Sequence, residues 1–187
     1  PPAYRIGREG MPVPKRAAFE IMVGAILTQN TAWTNVEKAL VNLSGARRLT
    51  IEAIAGAGPW LEETVRPSGY FRQKADRLRT MARATLAAGG VRALGRLATP
   101  ALRELLLDWN GIGPETADSI LCYAFARPVF VVDAYTRRLF AANGLPHGAY
   151  DQMQALVHAA LPASAARLND FHARIVHYFS CHLKNKL

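Results

Sequence analysis

Residues 105–118 read Leu-Leu-Leu-Asp-Trp-Asn-Gly-Ile-Gly-Pro-Glu-Thr-Ala-Asp, which is typical of a helix, a tight turn and a second helix. Gly111 and Gly113 permit positive φ and close backbone approach, and Ile112 between them can pack against both helices. Pro114 suits the first position of a helix. The amide groups of such a turn favour an anion such as phosphate. The stretch therefore predicts a helical hairpin that binds a phosphate, and a plain helix connection without a ligand is the alternative.

Apolar residues elsewhere recur at helical rather than alternating spacing, as in Phe19, Met22, Val23, Ile26 and Leu27. This periodicity predicts an all-α fold of about nine or ten helices. The run Phe130-Val131-Val132 is β-branched, but it has no partner run and we interpret it as an extended loop. We expect two lobes, one of residues 28–142 with the hairpin at about 101–126, and one in which residues 1–27 pair with 143–187.

Composition narrows the class of partner. The chain has 187 residues, with 23 Lys and Arg against 14 Asp and Glu, a net charge of +9 and a pI near 10.1. This excess favours a polyanion such as nucleic acid, although basic proteins without such partners exist. Two cysteines do not make a disulfide framework, and the apolar run from Phe19 to Leu27 is too short to span a bilayer. We expect a monomeric protein of the cytoplasm, associated with the nucleoid in a bacterium, and no membrane partner.

An acidic residue follows the apolar run, in Val131-Val132-Asp133-Ala134-Tyr135, and precedes a helix that carries two arginines. Asp133 could serve only as a helix N-cap. The hairpin, the Pro128 loop and Asp133 together resemble the helix-hairpin-helix DNA glycosylases with a Gly/Pro-rich loop and a catalytic aspartate. Residues 19–31 resemble the endonuclease III branch, and residues 66–75 and 118–124 resemble its 3-methyladenine glycosylases.

The resemblance implies a two-lobed fold with a DNA cleft between the lobes, double-stranded DNA with damaged bases as partner, and roles for individual residues. Asp133 would be the catalytic carboxylate, because breaking a glycosidic bond builds positive charge on the sugar. Gln29 and Tyr70 would be wedges that fill the gap left by a flipped base, although either could serve only for packing or bridging. Trp33 would line the base pocket, with core packing as the alternative. The residues expected to contact DNA are Gly111, Gly113, Thr116 and Lys74.

Departures from the family pattern bear on cofactors and on the reaction. Bifunctional members carry a lysine nucleophile where this sequence has Glu115, so strand cleavage is not expected unless Lys74 or another amine reaches the sugar. Cys181 stands alone where endonuclease III has four cysteines, so no iron-sulfur cluster is expected. His172, His177 and His182 do not share a helix face and predict no metal site. A monovalent cation at the hairpin follows from the resemblance alone.

The pocket also departs from the family pattern. Pro12 and Val13 replace a tandem tryptophan, Ser180 replaces a lysine carried by some relatives, and Arg174 has no assigned role. The predicted function is a monofunctional glycosylase for alkylated purines such as 3-methyladenine. The alternatives are an endonuclease III-like glycosylase for oxidised pyrimidines or mismatches, and a non-catalytic DNA-binding module that uses the hairpin alone.

Overall fold

The computed structural model describes residues 14–182, apart from the side chains of residues 15, 16 and 180–182. Pro12, Val13 and the side chains of Ser180, Cys181 and His182 therefore lie outside the described residues. Within the described range the chain is helical and contains no strand, which confirms the all-α prediction. The α-helices are α1 (Lys15–Leu27), α2 (Trp33–Gly45), α3 (Ile51–Ala55), α4 (Trp60–Val65), α5 (Phe71–Ala87), α6 (Val91–Arg96), α7 (Thr99–Leu107), α8 (Pro114–Ser119), α9 (Ala134–Ala142), α10 (Tyr150–Ala160) and α11 (Ala165–His182), with a 3-10 turn at Arg66–Ser68 and a π-helical turn at Ile120–Ala124.

Helices α1 to α8 and the π-helical turn share the first of two hydrophobic clusters, which spans residues 18–129. Helix α1 is apolar on most sides and buries Met22, Val23, Ile26 and Leu27 completely, so it needs neighbours all around it. It packs on α2, α5, α6 and the π-helical turn. The structure thus places α1 with the middle of the chain, whereas we expected residues 1–27 to pair with the C-terminal segment.

The second cluster joins the extended segment before Asp133 to the three last helices. It consists of Phe130, Val132, Phe140, Met153, Val157, Leu168 and Ile175. Phe130 and Val132 are two residues apart, so in extended backbone their side chains point to the same face and both enter this cluster. Helix α9 therefore packs in the second lobe, although we expected the first lobe to continue to residue 142.

The segment 130–132 is extended without a strand partner, as predicted, because side chains of α10 bind its backbone. Tyr150, Gln154 and His158 recur every four residues and lie on one face of that helix. Phe130 donates its N–H to His158 Nε2 at 3.0 Å, and its carbonyl accepts from Gln154 Nε2 at 2.7 Å. The N–H of Val132 donates to the Tyr150 hydroxyl at 3.4 Å. We call these three side chains the α10 ladder.

A buried carboxylate, Asp118, connects the two lobes. Its side chain is fully buried. Arg103 from α7 donates to both of its oxygens, at 2.8 and 3.2 Å. Tyr150 and Gln154 of the α10 ladder each donate to Oδ2 at 2.8 Å. A buried carboxylate is tolerated only with such partners, which helical periodicity alone does not reveal.

Candidate active site

The predicted hairpin forms between α7 and α8, with Ile112 buried between the helices. Gly111 has φ +86°, and a Cβ added there would lie 2.4 Å from Cδ and Nε of Arg77, so glycine is required at this position. Gly113 differs, because its φ of −93° and ψ of 179° suit any residue and nothing lies within 4 Å of an added Cβ. Both glycines permit positive φ, but within the turn only Gly111 adopts it.

Gln29 connects the end of α1 to the hairpin. Its Nε2 donates to the Gly111 carbonyl at 2.9 Å and to Thr116 Oγ1 at 3.0 Å, while its Oε1 accepts from Arg77. The bridging role that we set against the wedge is what this structure shows, and insertion into DNA stays a prediction. Thr116 is 8% exposed and its hydroxyl accepts from Gln29, and its contact with DNA stays a prediction.

Lys74 lies in the interior rather than on a DNA-binding surface. It is 1% exposed, and its ammonium donates to the carbonyls of Leu27 at 2.8 Å and Ser68 at 2.6 Å. Burial, together with the nearby Arg77 charge, lowers the pKa of Lys74 to about 8. The prediction that Lys74 contacts a phosphate is wrong, because this ammonium instead ties the end of α1 to the 3-10 turn.

Tyr70 projects from the turn between Gly69 and α5. Its side chain is 70% exposed, and its backbone is left-handed, with φ 46° and ψ 34°. A non-glycine residue in this region is strained by about 1–2 kcal/mol. An exposed aromatic ring held on a strained turn suits the predicted wedge role, which stays a prediction.

Trp33 is the first residue of α2 and lies half-buried against the first cluster. Its indole N–H donates to Glu37 one turn later at 2.8 Å. The ring thus takes part in packing, the alternative that we considered, and part of its surface is exposed. Its role in a base pocket stays a prediction.

Asp133 is the N-cap of α9, and its Oδ1 accepts from the backbone N–H of Thr136 at 2.7 Å and from the Thr136 hydroxyl at 2.9 Å. Its side chain is 14% exposed. Burial alone would raise the pKa of this carboxyl, but His172 and the Thr136 hydrogen bonds outweigh it, and the pKa lies below its ordinary value. Asp133 is therefore an ionised, nearly buried carboxylate at neutral pH.

His172 of α11 approaches the second oxygen of Asp133, with 3.3 Å between Nε2 and Oδ2. Its other ring nitrogen, Nδ1, lies 2.6 Å from the hydroxyl of Tyr123 on the π-helical turn. We had considered His172 only as a metal ligand. The contact joins residues that are 49 positions apart, and no local spacing in the sequence indicates it.

Glu115 lies in the first turn of α8, within electrostatic range of Asp133. Surrounding protein atoms and the Asp133 charge raise the pKa of this carboxyl, while His172 and Arg137 act in the opposite direction. The site thus contains two carboxyl groups whose pKa values are shifted in opposite directions. Of the two, Glu115 is the residue at the position where the family resemblance implies a lysine in bifunctional members.

The structure divides the predicted residues into three groups. Gln29, Gly111 and Thr116 meet at the hairpin, Asp133 lies near Glu115 and His172, and Trp33, Tyr70 and Lys74 lie in other positions. A separate recess of about 680 Å³ lies among α1, α2, α3 and α6, and none of the predicted site residues lines it.

Among residues 14–182 no three His, Cys, Asp or Glu side chains are grouped so that they could hold a metal ion. Cys122 is a buried free cysteine. None of the described helices is long and apolar enough to cross a bilayer.

Comparison with known proteins agrees with this geometry. Residues 23–162 match the model of the HhH-GPD superfamily of base excision DNA repair proteins. A Methanocaldococcus jannaschii protein named as a DNA repair glycosylase is 39% identical over 171 residues, which cover 88% of this chain and 78% of that protein. Endonuclease III of Thermotoga maritima is 33% identical over 122 residues, 65% of this chain and 54% of that enzyme.

Solved structures show the same architecture. The 3-methyladenine DNA glycosylase of H. pylori, in a crystal structure with 1,N6-ethenoadenine, aligns with a TM-score of 0.78 and 33% identity over 100% of this chain and 91% of its own. An endonuclease III trapped in a covalent complex with DNA aligns with a TM-score of 0.75 over 91% of this chain and 77% of its own. At 19% identity, the second alignment shows the shared fold alone.

Proposed function

Because the chain belongs to the HhH-GPD superfamily of base excision DNA repair proteins, we propose that it is a monofunctional DNA glycosylase that removes alkylated purines such as 3-methyladenine from DNA. The observation that carries the proposal is the Asp133 carboxylate. It is 14% exposed and held ionised at the start of α9, near His172 and Glu115. Removal of a base requires a negative charge at such a place.

The proposed reaction is hydrolysis. The C1′–N bond of the flipped nucleotide breaks, and its electron pair leaves with the base, so a cationic alkylpurine departs as a neutral molecule. The deoxyribose becomes an oxocarbenium-like cation, which the Asp133 carboxylate stabilises. Water then adds to C1′ and loses a proton to the carboxylate or to solvent, which leaves an abasic site in an intact strand. Water is the co-reactant that this sequence of steps requires.

Alkylated purines are the substrate class that the half-buried Trp33 favours. A purine alkylated at N3 or N7 carries a formal positive charge, and an aromatic face attracts such a cation by about 1–2 kcal/mol. Its glycosidic bond is already weak, so the pocket need not supply a general acid. The H. pylori protein that is 33% identical to this chain is named a 3-methyladenine DNA glycosylase, which supports the same substrate class here.

The absence of lyase activity is proposed from two residues. Glu115 occupies the position at which bifunctional relatives carry a lysine, and a carboxylate cannot form a Schiff base with the sugar. The other candidate amine, Lys74, is 1% exposed and donates to two backbone carbonyls. We propose that the hairpin contacts phosphate through its backbone at Gly111 and Gly113, and that Gln29 and Tyr70 act at the gap in the duplex.

The test is base release from duplexes that carry 3-methyladenine, 7-methylguanine, thymine glycol or a G·T mismatch, each scored with and without alkali. We expect release of the methylated purines, with strand breaks only after alkali. Breaks without alkali would contradict the monofunctional assignment, and release of thymine glycol or mismatched thymine alone would move the enzyme to another substrate class. If no base is released from any of the four duplexes although the protein still binds DNA, a non-catalytic DNA-binding module would be favoured.

Asp133→Asn tests the residue that carries the proposal. The amide keeps the shape of the N-cap but removes the negative charge, so we expect base release to fall by about two to three orders of magnitude while DNA binding is retained. Asp108→Asn is the matched control, because Asp108 is exposed on the first helix of the hairpin region. Unchanged release by Asp133→Asn would remove Asp133 from the mechanism.

A further inference from the structure

We propose that Tyr123 and His172 form a positioning pair that fixes the orientation of the Asp133 carboxylate. This inference rests on the proposed function, because it assigns the pair to the reaction that Asp133 would perform. The pair acts through Asp133 and does not itself contact the sugar or the base.

Tyr123, His172 and Asp133 form a chain of contacts, in which Tyr123 donates to His172 and His172 faces Asp133. Burial raises the pKa of Tyr123 well above its ordinary value, so its hydroxyl keeps its proton at neutral pH and can donate it to Nδ1 of His172, 2.6 Å away. A neutral imidazole that accepts at Nδ1 carries its hydrogen on Nε2. That nitrogen lies 3.3 Å from Oδ2 of Asp133, so Tyr123 sets the tautomer that directs an N–H to the carboxylate.

The two oxygens of Asp133 have different partners. Oδ1 accepts both hydrogen bonds from Thr136, as in an ordinary N-cap, and this does not require a histidine. Oδ2 faces His172. Because Nε2 is buried and has no well-aligned hydrogen bond within the described residues, its approach to Oδ2 is the contact that compensates it. Capping thus occupies one oxygen, and the pair restrains the other.

The imidazole ring is held by packing as well as by Tyr123. The Phe130 ring meets it edge to face, with 6.1 Å between the centroids and 81° between the planes. The His172 side chain is 13% exposed. Phe130 belongs to the extended segment that ends at Asp133, so the ring and the carboxylate are fixed relative to one another by the same stretch of backbone. Such support is what an active-site carboxylate needs to keep one orientation.

Two further charged groups face this site. Glu115 of α8 repels the Asp133 charge, and Arg137 of α9 lies within electrostatic range of Glu115. The hydrogen bond from His172 acts to lower the pKa of Asp133. Loss of His172 therefore leaves the effect of burial on the Asp133 carboxyl less opposed. Its pKa then rises, and the acid limb of the pH–rate profile moves to higher pH.

The experiment compares His172→Leu, His172→Gln and Tyr123→Phe with the wild type in single-turnover release of 7-methylguanine between about pH 5 and pH 9. For His172→Leu we expect a rate about ten- to a hundredfold lower near neutral pH, an acid limb at higher pH, and unchanged binding to a duplex with a tetrahydrofuran abasic analogue. His172→Gln keeps an N–H donor and should recover part of the rate. Tyr123→Phe should lose less than His172→Leu.

His177→Leu on the exposed side of the same helix is the matched control, and its rate and pH profile should equal those of the wild type. A wild-type rate and pH profile in His172→Leu would overturn the proposal. So would a lower rate with an unmoved acid limb, since that is the effect of a structural role alone.

A second measurement separates this proposal from the proposed function. Carbon-13 NMR titration of the Asp133 carboxyl in the free protein does not depend on activity, and we expect a higher pKa in His172→Leu than in the wild type. An unchanged pKa would overturn the positioning pair whatever the activity is. A raised pKa in a protein that releases no base would support the pair and contradict the proposed function.

Discussion

Gly111→Ala tests whether the hairpin depends on the left-handed conformation of one glycine. Alanine at φ +86° is strained by about 1–2 kcal/mol. The new methyl group would also lie 2.4 Å from the Arg77 side chain, which must move and so give up its hydrogen bond to Gln29. A hydrogen bond from a charged donor contributes about 1.5–3 kcal/mol, part of which Arg77 recovers in water. We expect a total loss of about 2–4 kcal/mol in the free energy of unfolding.

Gly113→Ala is the matched control, two residues away in the same turn. Its backbone conformation suits alanine and the space around an added Cβ is open, so its free energy of unfolding should stay within about 1 kcal/mol of the wild type. Urea unfolding followed by circular dichroism measures both variants, and equal slopes against urea show that the two can be compared.

The two parts of the Gly111 effect can be separated in an Arg77→Ala background. There the methyl group has no side chain to displace, so the cost of Gly111→Ala should fall to the backbone strain, about 1–2 kcal/mol. Equal losses in Gly111→Ala and Gly113→Ala would refute the reasoning. A cost that stays the same with and without Arg77 would refute the clash.

Two further predictions concern buried ionisable groups. Asp118→Asn should lower the free energy of unfolding by about 2–4 kcal/mol, because Arg103 loses a charged partner and Tyr150 and Gln154 lose a strong acceptor. Chemical denaturation measures this loss. A loss no larger than that of Asp108→Asn, at an exposed residue, would contradict the prediction. Lys74 releases its proton at about pH 8 in the folded state and near pH 10.4 when unfolded, so the unfolded chain binds more protons between these values and stability there rises with pH. The stability of the wild type relative to Lys74→Met should therefore increase from pH 8 to about 10, and a flat or falling difference would show that the lysine is not desolvated.

The hairpin and the N-cap position of Asp133 could be predicted from the sequence because both depend on local rules. A Gly-Ile-Gly-Pro turn between apolar helices restricts the backbone whatever surrounds it, and an aspartate before a helix caps it with its own side chain. The helical periodicity likewise gave the all-α class, since each apolar stripe must be buried against another element. The roles of residues that depend on near neighbours in the chain could thus be predicted from the sequence.

Roles that depend on tertiary contacts could not be predicted from the sequence. Lys74 stands among arginines on a basic helix, and no pattern in the sequence separates it from its exposed neighbours. Thr116 and Asp118 likewise turn inward, towards Gln29 in the turn after α1 and Arg103 on α7. His172 and Tyr123 come close only when α11 packs on the π-helical turn. Burial of a polar side chain depends on partners that the fold supplies, and these partners lie far away in sequence.

The α10 ladder sets a geometric limit on the segment that presents Asp133. The helix rises about 6 Å over the four residues from Tyr150 to Gln154. The extended chain rises a similar distance, about 6.7 Å, over the two residues from Phe130 to Val132. Tyr150 binds Val132, whereas Gln154 and His158 both bind Phe130. The three side chains of the α10 ladder thus serve two residues of the extended segment, where a neighbouring strand would otherwise bind. A one-residue insertion before Asp133 would have no matching rung, and it would turn the carboxylate to the opposite face of the chain.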